Sequence, residues 1–363
     1  MKNKNIKNKK YIILGCGGYL GSHLLERILP DESNQVIGWD LDKVRIEEHL
    51  SSSNFIFHEQ DINSNDALDK ISEEIQSVDV VIHLAAIANP SEYNTKPVDV
   101  INANFINTYK IVDLCAKHSK WLIFFSTSEV YGRTLSSYID NNEYKDESLF
   151  ILNEDTSPLI MGPISNQRWS YACSKQLMER YVFAHHHEFN MPFTIIRPLN
   201  AFGPRMDYIP GVDGEGIPRV LACFMSALMK REPLKLVDGG TARRTIISIH
   251  DFMDAIELIL SNPSKSINEI FQIGNDKNEV TMKELAEMMR SIYADITGDQ
   301  SYREHPIDIV SSTEFYGEGY EDCDRRMPNL NKIKEKLGWE PKINLDDLLV
   351  ETMKYYHAAY ANK

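Results

Sequence analysis

A glycine-rich turn, Gly15-Cys16-Gly17-Gly18-Tyr19-Leu20-Gly21, limits the folds open to this chain more than any other segment. It sits between a short apolar run, YIILG (11–15), and a segment with helical spacing, GSHLLERIL (21–29), that stops at Pro30. Glycines at G-x-x-G-x-x-G spacing let a strand turn sharply into a helix, and let a pyrophosphate approach the helix N-terminus. Such turns are common, and this one gains weight from the strands and helices around it. QVIGWD (35–40), FIFHEQD (55–61), VDVVIHLAA (78–86), WLIFFSTS (121–128) and FTIIRP (193–198) read as strands, with helices over 102–118 and 170–189. Nearly continuous apolar runs are expected of strands buried on both faces. The rhythm predicts an α/β fold with a Rossmann-type, doubly wound parallel sheet.

After Pro198 the texture changes. Residues 199–219 are rich in Gly and Pro, and a helix (219–230) and a strand (234–237) come next. The segment 246–260 has strand-then-helix texture and is a candidate to rejoin the sheet. Helices over 281–296, 330–337 and 345–358 surround an irregular loop, 299–329. The division expected is a disordered basic tail (1–10), a nucleotide-binding domain (11–198 plus about 246–270) and a smaller C-terminal α/β substrate domain (199–245 plus about 271–363). A polar insertion, 133–168, is long enough to suggest a functional loop.

Composition narrows the partners. Lys plus Arg is 39 and Asp plus Glu is 53, a net charge of −14. That argues against a general nucleic-acid binder or a membrane-surface protein. Five scattered cysteines, an odd count without CxxC spacing, point to reduced thiols in a cytoplasm rather than a disulfide framework or zinc site. No apolar run approaches a membrane span. MKNKNIKNKK (1–10) precedes too short an apolar stretch for a signal peptide.

Several residues carry chemistry. Asp40 closes the second strand, where a carboxylate can accept from an adenosine ribose and repel a 2′-phosphate, favouring NAD; its plain alternative is a turn or cap. Tyr171 and Lys175 share one helix face at i, i+4, and a nearby ammonium favours phenolate. Y-x-x-x-K alone is a common coincidence. It gains weight downstream of Ser126-Thr127-Ser128, hydroxyls at a strand's carboxyl end where ligands bind in such sheets. Glu129 is an acid/base candidate or a loop carboxylate facing water. Arg168, Arg197, Arg205, Arg219, Arg243, Arg244, Arg325 and Arg326 crowd the second half, and guanidinium forks suit phosphates and carboxylates. His185-His186-His187 is read as a helix surface feature and not a metal site, Cys173 as a packing residue.

With these motifs in hand, the chain resembles the extended short-chain dehydrogenase/reductase superfamily over nearly all of 10–360. STSEVYG (126–132), RWSYACSKQ (168–176), IIRPLNAFGPR (195–205), PLKLVDGG (233–240) and YGEGYEDCDRRMP (316–328) resemble its UDP-glucuronate decarboxylase group. That group includes the decarboxylase domain of the bifunctional polymyxin-resistance enzyme and the plant UDP-apiose/UDP-xylose synthases. The resemblance implies that Tyr171 is the base, Lys175 its tuner and Thr127 a contact to the sugar's 4-hydroxyl. It gives Ser128 and Glu129 carboxylate-contact and acid/base roles, and Arg326 the sugar carboxylate. Arg168, Asn200, Arg219, Lys235, Arg244 and Tyr320 match positions that grip a UDP-sugar. Gly15, Gly18, Tyr19, Leu20, Gly21, Asp40 and Ser126 fall to the NAD side, with Asp61 and Ile62 at the adenine and Leu84, Ala85 and Ala86 lining the cofactor. Two thiols used for ring contraction in apiose formers align with Ala88 and Ser128, which puts apiose formation in doubt.

The expected reaction is oxidation of a UDP-hexuronate at C4, then loss of carbon dioxide to a UDP-4-ketopentose or UDP-xylose, by a cytoplasmic homodimer pairing helices near 102–118 and 170–189. The alternatives are a UDP-uronate 4-epimerase, a decarboxylase of a UDP-2-acetamido uronate, and a non-catalytic nucleotide-sugar or NAD sensor. The Thr127, Tyr171 and Lys175 set argues against the sensor, which does not need it.

Overall fold

The computed structural model describes residues 7–139, 146–214, 216–318 and 321–360. Its centre is a seven-stranded sheet in which every neighbouring pair is parallel. The first half supplies β1 (Lys10–Leu14), α1 (Tyr19–Ile28), β2 (Gln35–Asp40), β3 (Phe55–Glu59), α2 (Asn65–Ser77) and β4 (Val80–His83). The short α3 (Pro90–Thr95) and α4 (Pro97–Ile101) precede α5 (Thr108–Lys117) and β5 (Trp121–Phe125). After the insertion, which contains β6 (Ile151–Leu152), come the long α6 (Trp169–Phe189) and β7 (Phe193–Pro198).

The remaining strands are β8 (Ala201–Phe202), β9 (Leu234–Val237), β10 (Arg243–Thr245), β11 (Ile247–Ser248), β12 (Glu269–Ile273), β13 (Glu279–Thr281), β14 (Ile307–Val310) and β15 (Arg325–Pro328). Their helices are α7 (Val220–Lys230), α8 (Ile249–Ser261), α9 (Pro263–Ser266), α10 (Met282–Thr297), α11 (Ser312–Tyr316), α12 (Asn331–Leu337) and α13 (Leu345–Tyr360). The sheet order is β12-β7-β5-β4-β1-β2-β3.

Alternate residues of each strand enter opposite cores, as a two-residue side-chain period requires. Ile13, Ile82 and Ile123 pack with α1 and α8 on one face, and Leu14, Val81 and Phe124 with α2, α5 and α6 on the other. A separate core joins α7, α10 and α13 under β9. Thr281 and Glu284 close a capping box at the start of α10, satisfying end groups that the helix itself cannot.

Four expectations are corrected. Lys10 belongs to β1, and the backbone amides of Asn8 and Lys9 donate to Ser33 and Asn34, so the end of the basic tail is bound to the fold. The sheet is rejoined by β12, whereas β11 pairs with β8 in a separate two-stranded sheet. Ile333 and Trp339 pack in the nucleotide domain's core, although they fall within the substrate segment. The helix read over 102–118 is broken by a π-helical turn, Asn102–Ile106, where the buried Asn104 amide donates to the Ile87 and Val100 carbonyls. Such side-chain bonds compete with regular helix, and π turns favour functional surfaces.

Candidate active site

The carboxyl ends of the parallel strands open into a cavity of about 840 Å³, between the sheet and the substrate domain. The glycine turn forms one wall. Gly15 adopts φ +92° and a Cβ there would lie 2.5 Å from the Ala85 amide nitrogen, so the β1 turn is packed against the residue after β4. Gly21 is equally closed, but a Cβ on Gly18 would meet only the Gly15 carbonyl, at 3.5 Å. Gly18, Tyr19 and Leu20 line the cavity, and α1 has no side-chain cap. Its first amides are thus free to receive an anion, and the wall fits a pyrophosphate. Asp40 stands behind: one carboxylate oxygen accepts from the Gly17 amide (2.8 Å), the other from Leu41 (2.7 Å). Leu84, Ala86 and Ser126 also line the cavity. Asp40, Ala85, Asp61 and Ile62 lie outside its lining, and Asp61 holds Asn63 in the turn before α2.

The opposite wall carries the reacting groups. Thr127, Ser128 and Glu129 leave β5 in a 3-10 turn, Ser128–Tyr131, capped by the Thr127 hydroxyl, which accepts from the Glu129 amide. Tyr171 and Lys175 enter from α6, and the Lys175 ammonium donates to the Phe125 carbonyl at 2.9 Å. Burial dominates both. It pushes the Tyr171 phenol up, against a lowering hydrogen bond with Thr127, and brings Lys175 down to about 7. Arg219 and Arg168 also pull the phenol down and Glu129 pushes it up, but its loss of water is the largest influence.

Glu129 is half-buried at the cavity wall. Its carboxylate lies between two buried guanidiniums, Arg168 on one side and Arg326 (2.7 Å) on the other. The arginines outweigh the desolvation and hold Glu129 down at about 2. Arg326 reaches the site from β15 and is hidden behind Glu129 rather than lining the cavity. Arg168 precedes the first turn of α6, above the Tyr93 ring.

Asn200, Arg219, Lys235 and Arg244 line the far end of the cavity. Asn200 is left-handed (φ 43°) and donates to the Thr245 carbonyl; Arg219 is paired with Asp207 and Arg244 with Asp322. Tyr320 falls outside the described residues.

Sequence reasoning missed Tyr93. Its ring stacks on Tyr171 with centroids 4.7 Å apart and planes 7° from parallel, so the candidate base is clamped on one face. The available signal was Asn89-Pro90, an N-cap followed by Pro, which starts α3 and aims Tyr93 inward. Also missed was Glu321, which accepts from Arg133 (2.6 Å) and the Trp169 indole (2.8 Å) and ties the 321–328 segment across the site. The three histidines sit on α6, where His185 meets Asp113 and His186 meets the Met191 carbonyl. All five cysteines are free thiols.

A glycine turn open to a pyrophosphate, beside a threonine, tyrosine and lysine, is a site for oxidation by a dinucleotide. Residues 11–274 match the model of the NAD dependent epimerase/dehydratase family. The chain belongs to that family. It is an NAD-dependent enzyme of the extended short-chain dehydrogenase/reductase kind. It is 45% identical to UDP-D-apiose/UDP-D-xylose synthase 2 of Arabidopsis thaliana, over 99% of this chain and 94% of that one. It is 46% identical to the UDP-D-apiose/UDP-D-xylose synthase of Oryza sativa subsp. japonica, over 96% and 89%. The PbgP3 protein of Burkholderia pseudomallei is similar in structure, with TM-score 0.82 and 32% identity over 98% of both chains. A UDP-glucuronic acid 4-epimerase of Bacillus cereus, solved with UDP-glucuronic acid and NAD, shares the fold at TM-score 0.76 and 22% identity, over 97% of this chain and 100% of that one. Among the described residues no helix is long and apolar enough to cross a membrane.

Proposed function

We propose that this enzyme decarboxylates a UDP-hexuronate, UDP-glucuronate in the first instance, through a 4-keto intermediate. One observation carries the reading. Two buried guanidiniums, Arg168 and Arg326, converge on the Glu129 carboxylate at the cavity wall beside Tyr171. Guanidinium forks suit carboxylates, so a sugar carboxylate entering beside Glu129 meets cations already in place.

Tyr171 takes the proton of the sugar's C4 hydroxyl, with Thr127 orienting it and Lys175 adjusting the local charge. NAD⁺, which the glycine turn at Gly18, Tyr19 and Leu20 would hold, would supply the hydride acceptor for C4. The resulting ketone lies β to the C5 carboxylate, so the C5–carboxyl bond breaks, carbon dioxide leaves and its electron pair rests in an enolate. The sugar's carboxylate competes with Glu129 for the same guanidiniums. A Glu129 that loses arginine contacts is a better proton acceptor; it takes a proton from water and passes it to C5, which converts the enolate to the ketone. Ser128 contacts the carboxylate, and Asn200, Arg219, Lys235 and Arg244 hold the UDP. Similarity to the plant synthases supports this substrate. Ala88 and Ser128 both line the cavity, and neither offers a thiol for ring contraction. The expected product is a UDP-4-ketopentose or UDP-xylose, formed by a lyase; the cavity's own thiols, Cys223 and Cys323, stand at other positions.

The apolar surface of α6 and the π turn, where Leu177, Phe183, Phe189 and Ile106 are exposed, supports a homodimer. Free thiols suit a reducing cytoplasm.

The test is incubation with UDP-glucuronate and NAD⁺, following carbon dioxide, NADH and product mass. Loss of one carbon dioxide is expected, and Tyr171→Phe should lower the rate by about 10²–10⁴-fold. An isomer of unchanged mass would instead mean 4-epimerisation, and a branched pentose would mean apiose formation.

A further inference from the structure

Arg197 takes no part in the cavity, yet it is the hub of a buried polar network. It lies on β7, opposite Gln272 of β12. Its guanidinium donates to both oxygens of Glu179 (2.9 and 2.6 Å), to the Tyr131 hydroxyl (2.9 Å) and to the Glu154 carbonyl (3.2 Å). Tyr131 donates onward to the Gln272 amide oxygen at 3.2 Å. The Gln272 amide nitrogen donates to the carbonyls of Leu152 (2.5 Å) and Asn329 (2.8 Å), and its backbone amide to the Glu154 carboxylate (3.0 Å). Arg197, Glu179, Tyr131, Gln272 and Glu154 are all at most 6% exposed.

Each branch ends on a segment that carries reacting residues. Glu179 is one turn beyond Lys175 on α6, the helix of Tyr171. Tyr131 closes the 3-10 turn that holds Glu129. Asn329 comes directly after β15, the strand of Arg326, and β6 of the insertion pairs with that strand through Pro328↔Leu152. A buried ion pair is weak evidence for stability, since a well-packed apolar replacement is often no worse. A fully satisfied network does fix geometry, because its bonds are directional and its loss leaves buried groups unpaired.

We propose that Arg197, with Tyr131 and Glu179, is a positioning unit that sets the oxidation pair, Tyr171 and Lys175, in register with the decarboxylation pair, Glu129 and Arg326. The insertion completes it through Leu152 and Glu154. The inference rests on the decarboxylase reading above.

Two reactions separate the pairs. UDP-glucuronate turnover uses both. Oxidation of UDP-xylose by NAD⁺, in which the C4 hydride forms NADH and the C4 hydroxyl proton goes to Tyr171, uses the first alone. Tyr131→Phe removes only the hydroxyl, and Glu179→Gln keeps the shape while removing charge, so a failure of either to fold leaves the other. In both, carbon dioxide release from UDP-glucuronate should fall on the order of ten- to a hundred-fold, as expected of small misplacements. The carboxyl-carbon isotope effect should rise as C–C cleavage becomes slower than hydride transfer. UDP-xylose oxidation should stay within about twofold, for Glu179→Gln at the variant's own pH optimum because Glu179 favours the Lys175 ammonium. Equal losses in both reactions, or unchanged decarboxylation with a lowered melting temperature, would reduce the network to a structural one. Wild-type enzyme that releases no carbon dioxide would overturn the decarboxylase reading itself, and the inference with it.

Discussion

At the scale of single residues, the site is governed by charges held out of water. Arg326 is expected to discriminate by the sugar's carboxylate. Arg326→Ala should weaken UDP-glucuronate by about 1.5–3 kcal/mol, roughly ten- to a hundred-fold, and UDP-xylose far less. Calorimetric titration of both sugars decides it; equal losses would make Arg326 a structural partner of Glu129. Lys175 supplies a pH dependence. Its pKa is brought from 10.5 to about 7 by burial, so the folded state binds the proton less tightly than the unfolded chain. The cost of its charge is fully present below about pH 7 and disappears as pH rises through the unfolded value, so stability rises across that window. Turnover that needs the ammonium should fall as pH rises through about 7, the folded value, and a Lys175→Met enzyme should lose that limb of the profile. Glu129 runs the other way: its pairing stabilises above pH 4.5, and that contribution is lost as pH falls toward about 2.

At the scale of elements, the glycine turn separates two roles that one motif conceals. Gly15→Ala forces a Cβ to 2.5 Å from the Ala85 amide nitrogen at φ +92°. Strain of this kind costs about 1–3 kcal/mol, and both the melting temperature and NAD⁺ affinity should drop. Gly18→Ala meets nothing nearer than 3.5 Å in the protein. It should keep the melting temperature and lose NAD⁺ affinity, because its methyl enters the cavity. Fluorescence titration beside a thermal scan distinguishes them, and a destabilised Gly18→Ala would refute the assignment. The elements themselves were legible wherever periodicity decided them. β5, β7, α7 and β9 lie within a residue or a few of their expected bounds, since buried parallel strands announce themselves as apolar runs. The π turn at Asn102–Ile106 was not legible, because it depends on carbonyls that Asn104 finds only when Ile87 folds beside it.

At the scale of the whole molecule, the exposed apolar face of α6 calls for a partner. Light scattering should report a dimer, and Leu177→Glu with Phe183→Glu should give a monomer; a wild-type monomer at micromolar concentration would remove that face as an interface. The same scale marks the boundary of what a sequence can say. The α/β architecture, the glycine turn and the tyrosine–lysine pair were all legible along the chain, because each is a local pattern: alternation, a turn requirement, an i, i+4 spacing. Glu129 and Arg326 also came forward as candidates, by residue type and then through resemblance. How such residues meet was settled by the folded chain alone. Glu129 and Arg326 lie far apart in the chain, yet they share an ion pair, with Arg168 on the other side of the carboxylate. Tyr93 stacks on Tyr171 because α3 folds over the start of α6. The Arg197 network joins separate segments, from the turn after β5 to the residue after β15. Such contacts carry no period along the chain; they arise when the sheet closes and buried polar groups must find partners, and those partners are chosen in three dimensions.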